Sequence, residues 1–467
     1  MGKHKWRCFS LALLALAARC QPQEFVSDSA ATLRFSSDTL RFDTIFSPLG
    51  STTFSCKVYN TGDKNLLFDE VRLRDADASP FRMNVDGRAG YSVGNVKLAR
   101  KDSLFIFLEV KTSSKTLLLT DAVVFVANGV ELASRLEVVA YGQNAVVLNG
   151  DTTLREDYTF TADQPYILNG VVTVASNVTV TVAAGAKLYF GAKAGVDVSG
   201  TLAALGTPEN PCVFSFPRYS DPWYSDAAGQ WRGVSISSGG RADVRHARVR
   251  GAECAFAVGD TLGEDGGVQL ALRNSLVEYA DVGLRVSGGK VNIDNCLFAG
   301  HLSNAALVEG GGCNVYHCTF ASGAYRGALV ALQNYRLREK GKFSYDTVPA
   351  PLEAYIANSI IYGKNASELR VREQKGQAAM RFTLERCLVK LDEGYDLSDR
   401  ERYADVTTND PMFRDAAKND FHLSEKSPAI NAGLDSIATE YAVDADGYDR
   451  KILHDTSLGC YAYRPEK

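Results

Sequence analysis

A chain of 467 residues that is 45% apolar and 23% charged has room for two or three domains and the composition of a globular protein. Its formal net charge of −4 provides no broad basic surface, which excludes nucleic acid as a partner. With 40 glycines, 4 methionines and β-branched alternation punctuated by Gly and Asn, it reads as all-β.

The first twenty residues read as an export signal. Lys3, Lys5 and Arg7 precede the apolar run FSLALLALAA, which is too short to span a bilayer. The run ends in LAARC, and a cysteine at that place resembles the lipobox of bacterial lipoproteins. The resemblance implies that Cys20 is acylated and anchors the chain to a membrane. Arg19 departs from the small residue of that pattern, and plain secretion is the alternative. Removing residues 1–20 takes away four basic residues and no acidic ones, so the net charge falls from −4 to −8. Residues 21–32, QPQEFVSDSAAT, are small and polar and read as a linker.

Residues 33–148 carry short strands. TFSCKVYN turns at Thr61-Gly62, FRMNVDG turns at Asp86-Gly87, and AVVFVANGVEL holds Asn128-Gly129, a strong hairpin signal. About seven strands in this length predict an immunoglobulin-like sandwich. Cys56 is alone in the segment, so the paired cysteines of antibody domains are missing.

From about residue 149 the strands shorten and a repeat emerges. His246, Asn274, Asn295, His317, Asn358 and Arg386 align as a polar corner. One position later stand Ala247, Ser275, Cys296, Cys318, Ser359 and Cys387, all small. Three positions later stand Val249, Val277, Phe298, Phe320, Ile361 and Val389, all large and apolar. The corners are 28, 21, 22, 41 and 28 residues apart. A unit near 21 or 22 residues with insertions is the arithmetic of a parallel β-helix, here placed at 149–425. The cysteines then belong to an inward column that Ala and Ser also fill, and a thiol there acts as a small hydrophobe. Zinc-type spacing is absent. A Cys296–Cys318 bridge is geometrically conceivable, but free thiols are the preferred reading. The corner side chains are expected to hydrogen-bond along the stack.

Residues 426–467 have a different grammar and read as a last coil and cap. With GTPENPCVFSF, GQWRGVSI and the closing DPMF, DFHL and SPAINAG, the chain resembles right-handed parallel β-helix lipoproteins of Bacteroides-type bacteria. That resemblance implies a pectate-lyase-like superfold at the outer membrane or cell surface. It implies no activity, because the superfold hosts enzymes and scaffolds alike.

The chemistry on offer is sparse. No Asp-Asp pair, Gly-His-Gly turn or R-x-x-P-x-x-R stretch marks a polysaccharide enzyme. His246 and His317 hold corner positions, His422 sits in DFHL, and no catalytic residue is assigned. Asp444, Asp446 and Asp449 in DADGYD read as Asx turns rather than a calcium loop. No cofactor or metal is expected. Two insertions stand out as ligand-binding candidates. FPRYSDPWYSDAAGQW offers Tyr219, Trp223 and Tyr224 as a sugar-stacking platform, with Trp231 assigned to the core. NYRLREKGKFSYDTVPAP offers Tyr335, Arg336, Arg338, Lys340 and Lys342 on a hairpin turning at Lys340-Gly341. The expected function is non-catalytic binding or structural display, for a glycan or an envelope protein. A polysaccharide lyase or glycoside hydrolase is the alternative. Nothing in the sequence fixes an oligomeric state.

Overall fold

The computed structural model describes residues 24–47, 53–110, 118–218, 224–259, 267–323, 326–341 and 344–465. It divides into two compact units between Asn144 and Ala145.

The first unit is a β-sandwich. One sheet has the order Leu33–Phe35, Phe54–Asn60, Ser103–Val110, Phe81–Val85, Arg88–Gly90, all antiparallel. The other runs Thr39–Ser47, Leu136–Asn144, Leu118–Ala127, Leu66–Leu73, Ser92–Leu98. Alternation along each strand buries one face, and Phe42, Phe68, Phe81 and Phe125 fill the space between the sheets. Cys56 is part of this core. The stretch expected to be a linker, 21–32, is held against the sandwich from Glu24 onward. Asn65 donates to the Glu24 carbonyl at 3.1 Å, and Val26 bridges Leu66. The Asn128 side chain donates to the Ser27 carbonyl at 2.7 Å.

The second unit is a parallel β-helix built from three sheets of 10, 9 and 10 strands. It begins before Leu148, because Val146–Leu148 pairs in parallel with Tyr166–Leu168 as the first rung. Val277, Phe298, Phe320, Ile361 and Val389 lie in register on successive rungs of the first sheet, all buried. The Phe298 and Phe320 rings stack at 5.1 Å. Burying one such side chain stabilises the shaft by about 1.5–3 kcal/mol.

The corner column has a backbone cause. His246, Asn274, Asn295, His317, Asn358 and Arg386 all have φ between 45° and 50°. This left-handed turn admits Asn more readily than most residues. The expectation of bonding along the stack holds for one pair, His317 with Asn358 at 3.0 Å. Asn274 and Asn295 instead reach the carbonyls of Val443 and Tyr441, and Asn358 also reaches that of Leu434. These bonds clamp the C-terminal segment to the flank. The corner residue bends the chain outward, so its side chain meets whatever covers the sheet.

The small column solves the problem the corner creates. After the bend, three of the small-column backbone N–H groups find acceptors in the column itself. Ala247 donates to Ser275 Oγ (3.0 Å), Ser275 to Cys296 Sγ (3.4 Å) and Cys318 to Ser359 Oγ (3.0 Å). Each hydroxyl or thiol in turn donates to a carbonyl two residues back, as Ser275 does to Arg273 at 2.7 Å and Cys296 to Asp294 at 3.1 Å. Ser and Cys are the small residues that both accept and donate, so the column is a hydrogen-bond ladder inside an apolar shaft. Cys296 and Cys318 are free thiols.

The segment expected to cap the helix runs back along the outer face of the first sheet. Phe421, Cys460 and Tyr461 pack on Leu297, Ala299 and Ala321, and Leu423, Ala429 and Leu458 pack on Ile360 and Leu388. Its interior holds a buried ion pair, Arg450 to Asp455 at 2.8 Å, with the guanidinium also donating to the Ser457 and Gly459 carbonyls.

Candidate functional site

The outward residues of the third sheet form columns just as the inward ones do. The register sets Ala271, Asn292, Asn314, Tyr355 and Thr383 in one column. Beside it run Lys290, Gly312, Glu353 and Arg381. Gly312 has no side chain, so the surface is dented between Lys290 and Glu353. The dent widens into a groove of about 420 Å³ lined by residues of both columns. Rungs follow one another at about 4.8 Å, so the groove offers polar and aromatic groups of different kinds at a regular rise.

Its chemistry is polar and aromatic. Asn314 Nδ2 donates to Asn292 Oδ1 at 3.1 Å. An amide has more donors and acceptors than this one bond uses, leaving some for a ligand. The Tyr355 hydroxyl donates to Glu385 at 2.5 Å. Burial, then that hydrogen bond and the carboxylate charge, pushes the Tyr355 pKa far up. Tyr355 therefore stays a neutral ring and donor. Tyr316 meets Tyr355 edge-on at 5.9 Å and stacks on Tyr441 of the C-terminal segment at 4.3 Å. Lys290 and Arg381 bring positive charge and Glu353 brings negative charge, all three exposed. In the next outward column Asp294 is buried, 3.6 Å from Arg273. Burial, opposed by Arg273, lifts its carboxyl to about 6.

The basic arm enters this strand. Tyr335–Gly341 and Ser344–Pro349 pair as an antiparallel hairpin, and the chain continues into Leu352–Ala357, which carries Glu353 and Tyr355. Tyr335 and Arg336 are half-buried at its base, and Arg338 and Lys340 are exposed. Both of the latter pair with Asp346, at 3.7 and 3.4 Å. Lys342 lies outside the described residues, as do Tyr219, Trp223 and Cys20. Tyr224 is half-buried against the helix core with the Arg218 guanidinium 3.7 Å from its ring centre. Trp231 is fully buried and stacks on Phe190 at 4.1 Å. Among the described residues, the hairpin adjoins the groove by chain connectivity.

A second cleft, of about 650 Å³, lies between the turns that follow the first sheet and the C-terminal segment. Its polar groups are engaged with one another. Asn419 donates to the Tyr279 hydroxyl at 2.5 Å, Tyr362 to Asp410 at 3.3 Å, and Asp226 lies 3.7 Å from Arg250. The carboxylates of DADGYD are likewise occupied. Asp444 accepts from the Tyr448 and Ala462 backbone, Asp446 from His422 and Arg464, and Asp449 caps the helix Arg450–Leu453.

Sequence reasoning missed Lys290, Asn292, Asn314, Tyr355 and Arg381. Their signal lay in the outward positions of the same repeat, three and five residues before each corner.

No protein-family model and no curated protein sequence matches this chain. Among solved structures it is similar to a family 123 glycoside hydrolase from Clostridium perfringens, described for glycolipid glycan hydrolysis. The identity is 5%, over 27% of this chain and 30% of that one, with a TM-score of 0.19. The chain therefore spans under a third of that protein, and the likeness carries neither fold nor activity across.

Proposed function

We propose that this protein is an envelope lipoprotein, anchored through Cys20 at the outer membrane or cell surface, that binds a polysaccharide without cleaving it. The observation that carries the reading is the bonded amide pair Asn292 and Asn314 beside the neutral ring of Tyr355, on successive rungs along the helix axis. A polymer of repeating units suits a surface that repeats at a fixed rise. Lys290 and Arg381 favour acidic sugar units, and the exposed Arg338 and Lys340 of the hairpin extend the same preference. Cleavage asks for more than the groove holds. A glycosidase needs two carboxyls flanking the bond, and Glu353 is the one carboxylate among the described lining residues. A lyase needs a base that titrates near working pH, which the raised Tyr355 does not. An enzymatic reading is favoured by Asp294, whose carboxyl near 6 is in the range of a general acid.

Affinity electrophoresis in gels containing acidic polysaccharides tests the proposal. The chain is retarded, and Tyr355→Ala with Arg381→Ala restores free migration. New reducing or unsaturated ends after incubation would overturn the non-catalytic reading, and their loss in Asp294→Asn would assign the acid. Palmitate labelling that survives Cys20→Ala would overturn the anchor.

A further inference from the structure

The five-stranded sheet of the first unit carries an exposed aromatic and basic face. Phe105 and Phe107 are 46% and 40% exposed, and their rings stack at 5.9 Å. Phe105 lies opposite Lys57, and Tyr59 lies opposite Arg34. The Lys57 ammonium sits 5.2 Å from the Phe105 ring centre and 5.7 Å from that of Tyr59, while the Arg34 guanidinium sits 4.4 Å from Tyr59. Arg82 projects from the same face, across from Glu109. Among the described residues of these strands, Arg34, Lys57 and Arg82 with Glu109 lie beside the rings, in a chain whose net charge is negative.

We infer that this face docks on an anionic membrane surface. Charge complementarity and exposed aromatics together fit a headgroup layer, where rings enter the interface and Lys and Arg stems let their charges stay among phosphates. The chain's path supports this occupant over a soluble polymer. The backbone is fixed to the sandwich from Glu24, next to Asn65. Asn60, which neighbours Tyr59 and pairs with Leu33, donates to the adjacent Lys64 carbonyl at 2.8 Å. The Arg34–Tyr59 end of the patch is therefore beside the point where the chain enters. With Cys20 in a bilayer, three residues stand between the lipidated cysteine and Glu24, four Cα steps that span at most about 14 Å. That geometric argument rests on the lipid-anchor reading; the surface chemistry does not.

The test uses the mature chain with Cys20→Ala, which has no acyl group, so its outcome is independent of whether Cys20 is modified. Co-sedimentation is measured with vesicles of phosphatidylcholine mixed with phosphatidylglycerol and with phosphatidylcholine alone. Binding to the anionic vesicles is expected. It falls by about tenfold in Phe105→Ser/Phe107→Ser and by about a hundredfold in Arg34→Gln/Lys57→Gln/Arg82→Gln. Circular dichroism melts confirm that both variants fold. Equal binding to both vesicle types, or undiminished binding by both variants, would overturn the inference. So would sedimentation abolished by soluble polygalacturonate at a concentration that leaves a control basic peptide on the vesicles.

Discussion

Asn358 and Leu434 are joined in both directions. The Leu434 N–H donates to Asn358 Oδ1 at 2.8 Å, and Asn358 Nδ2 donates back to the Leu434 carbonyl at 3.0 Å. Asn358 has φ 49°, so one residue both turns the coil and grips the segment that covers it. Two side-chain bonds are worth about 1 kcal/mol each, and a left-handed alanine costs about a further 1 kcal/mol relative to glycine. Asn358→Ala should therefore destabilise the helix unit by about 3 kcal/mol and Asn358→Gly by about 2. Urea unfolding followed by Trp231 fluorescence measures both. Equal losses would mean that the corner conformation contributes nothing.

The buried cysteines of the shaft predict inert thiols. Burial pushes the Cys212, Cys313 and Cys387 thiols up to about 12 and Cys296 well above its usual range. Thiolate, the reactive form, is then scarce at neutral pH. Ellman's reagent should modify none of these four until the helix unfolds. Cys296→Ser preserves both ladder bonds and should cost less than about 1 kcal/mol. Cys296→Val leaves the Ser275 N–H without its acceptor and should cost about 1–3 kcal/mol. A valine as well tolerated as the serine would mean that only size matters in this column.

Two histidines give the C-terminal clamp opposite pH responses. His422 lies between Asp420 at 2.6 Å and Asp446 at 3.0 Å and stacks on Tyr461. Desolvation pulls its pKa down, but the hydrogen bonds and charges of Asp446 and Asp420 outweigh it and raise the pKa above 6.5. Its stabilisation is complete below 6.5 and is lost as pH rises through the raised value. His317 is fully buried, and desolvation, then the Arg450 charge, holds its pKa well below 6.5. It favours the folded state above 6.5, and that contribution is lost as pH falls toward the depressed value. Urea midpoints should be highest near pH 6.5. His422→Gln should flatten the alkaline limb and His317→Asn the acid limb. An alkaline limb unchanged in His422→Gln would remove the aspartate clamp from the explanation.

The fold was legible because burial repeats. Val277, Phe298 and Phe320 fall at one phase of a unit whose shortest period is 21 residues, and stacking coils put them in register on successive rungs. Asn274 and Asn295 were legible as corners by their residue type, because few residues tolerate positive φ. Their partners were not, since Val443 and Tyr441 lie more than a hundred residues away and no local pattern encodes that contact. The candidate groove escaped notice for another reason. Ala271, Asn292, Asn314, Tyr355 and Thr383 share a column but no common residue type, and outward positions tolerate almost any polar side chain. Trp223 and Lys342 stand in insertions that break the repeat and so are conspicuous in a sequence, whereas the groove lies on the repeat itself.

Gly312 offers a way to close that groove without disturbing the shaft. Its backbone lies outside the left-handed region, and an added Cβ would meet Lys290 Cγ at 3.1 Å, a flexible stem that can move. The neighbouring Gly311 differs: its φ is 90°, and a Cβ there would come within 2.2 Å of the Gly289 carbonyl oxygen. Gly312→Leu should therefore change stability by under about 0.5 kcal/mol, whereas Gly311→Ala should cost several times that. Leucine at 312 fills the dent between Lys290 and Glu353 and should abolish retardation in polysaccharide gels while the unfolding midpoint stays put. Retardation undiminished in a Gly312→Leu protein of normal stability would show that the polymer does not lie along this face. The contrast between the two glycines matters because loss of binding with loss of stability would say nothing about where the ligand sits.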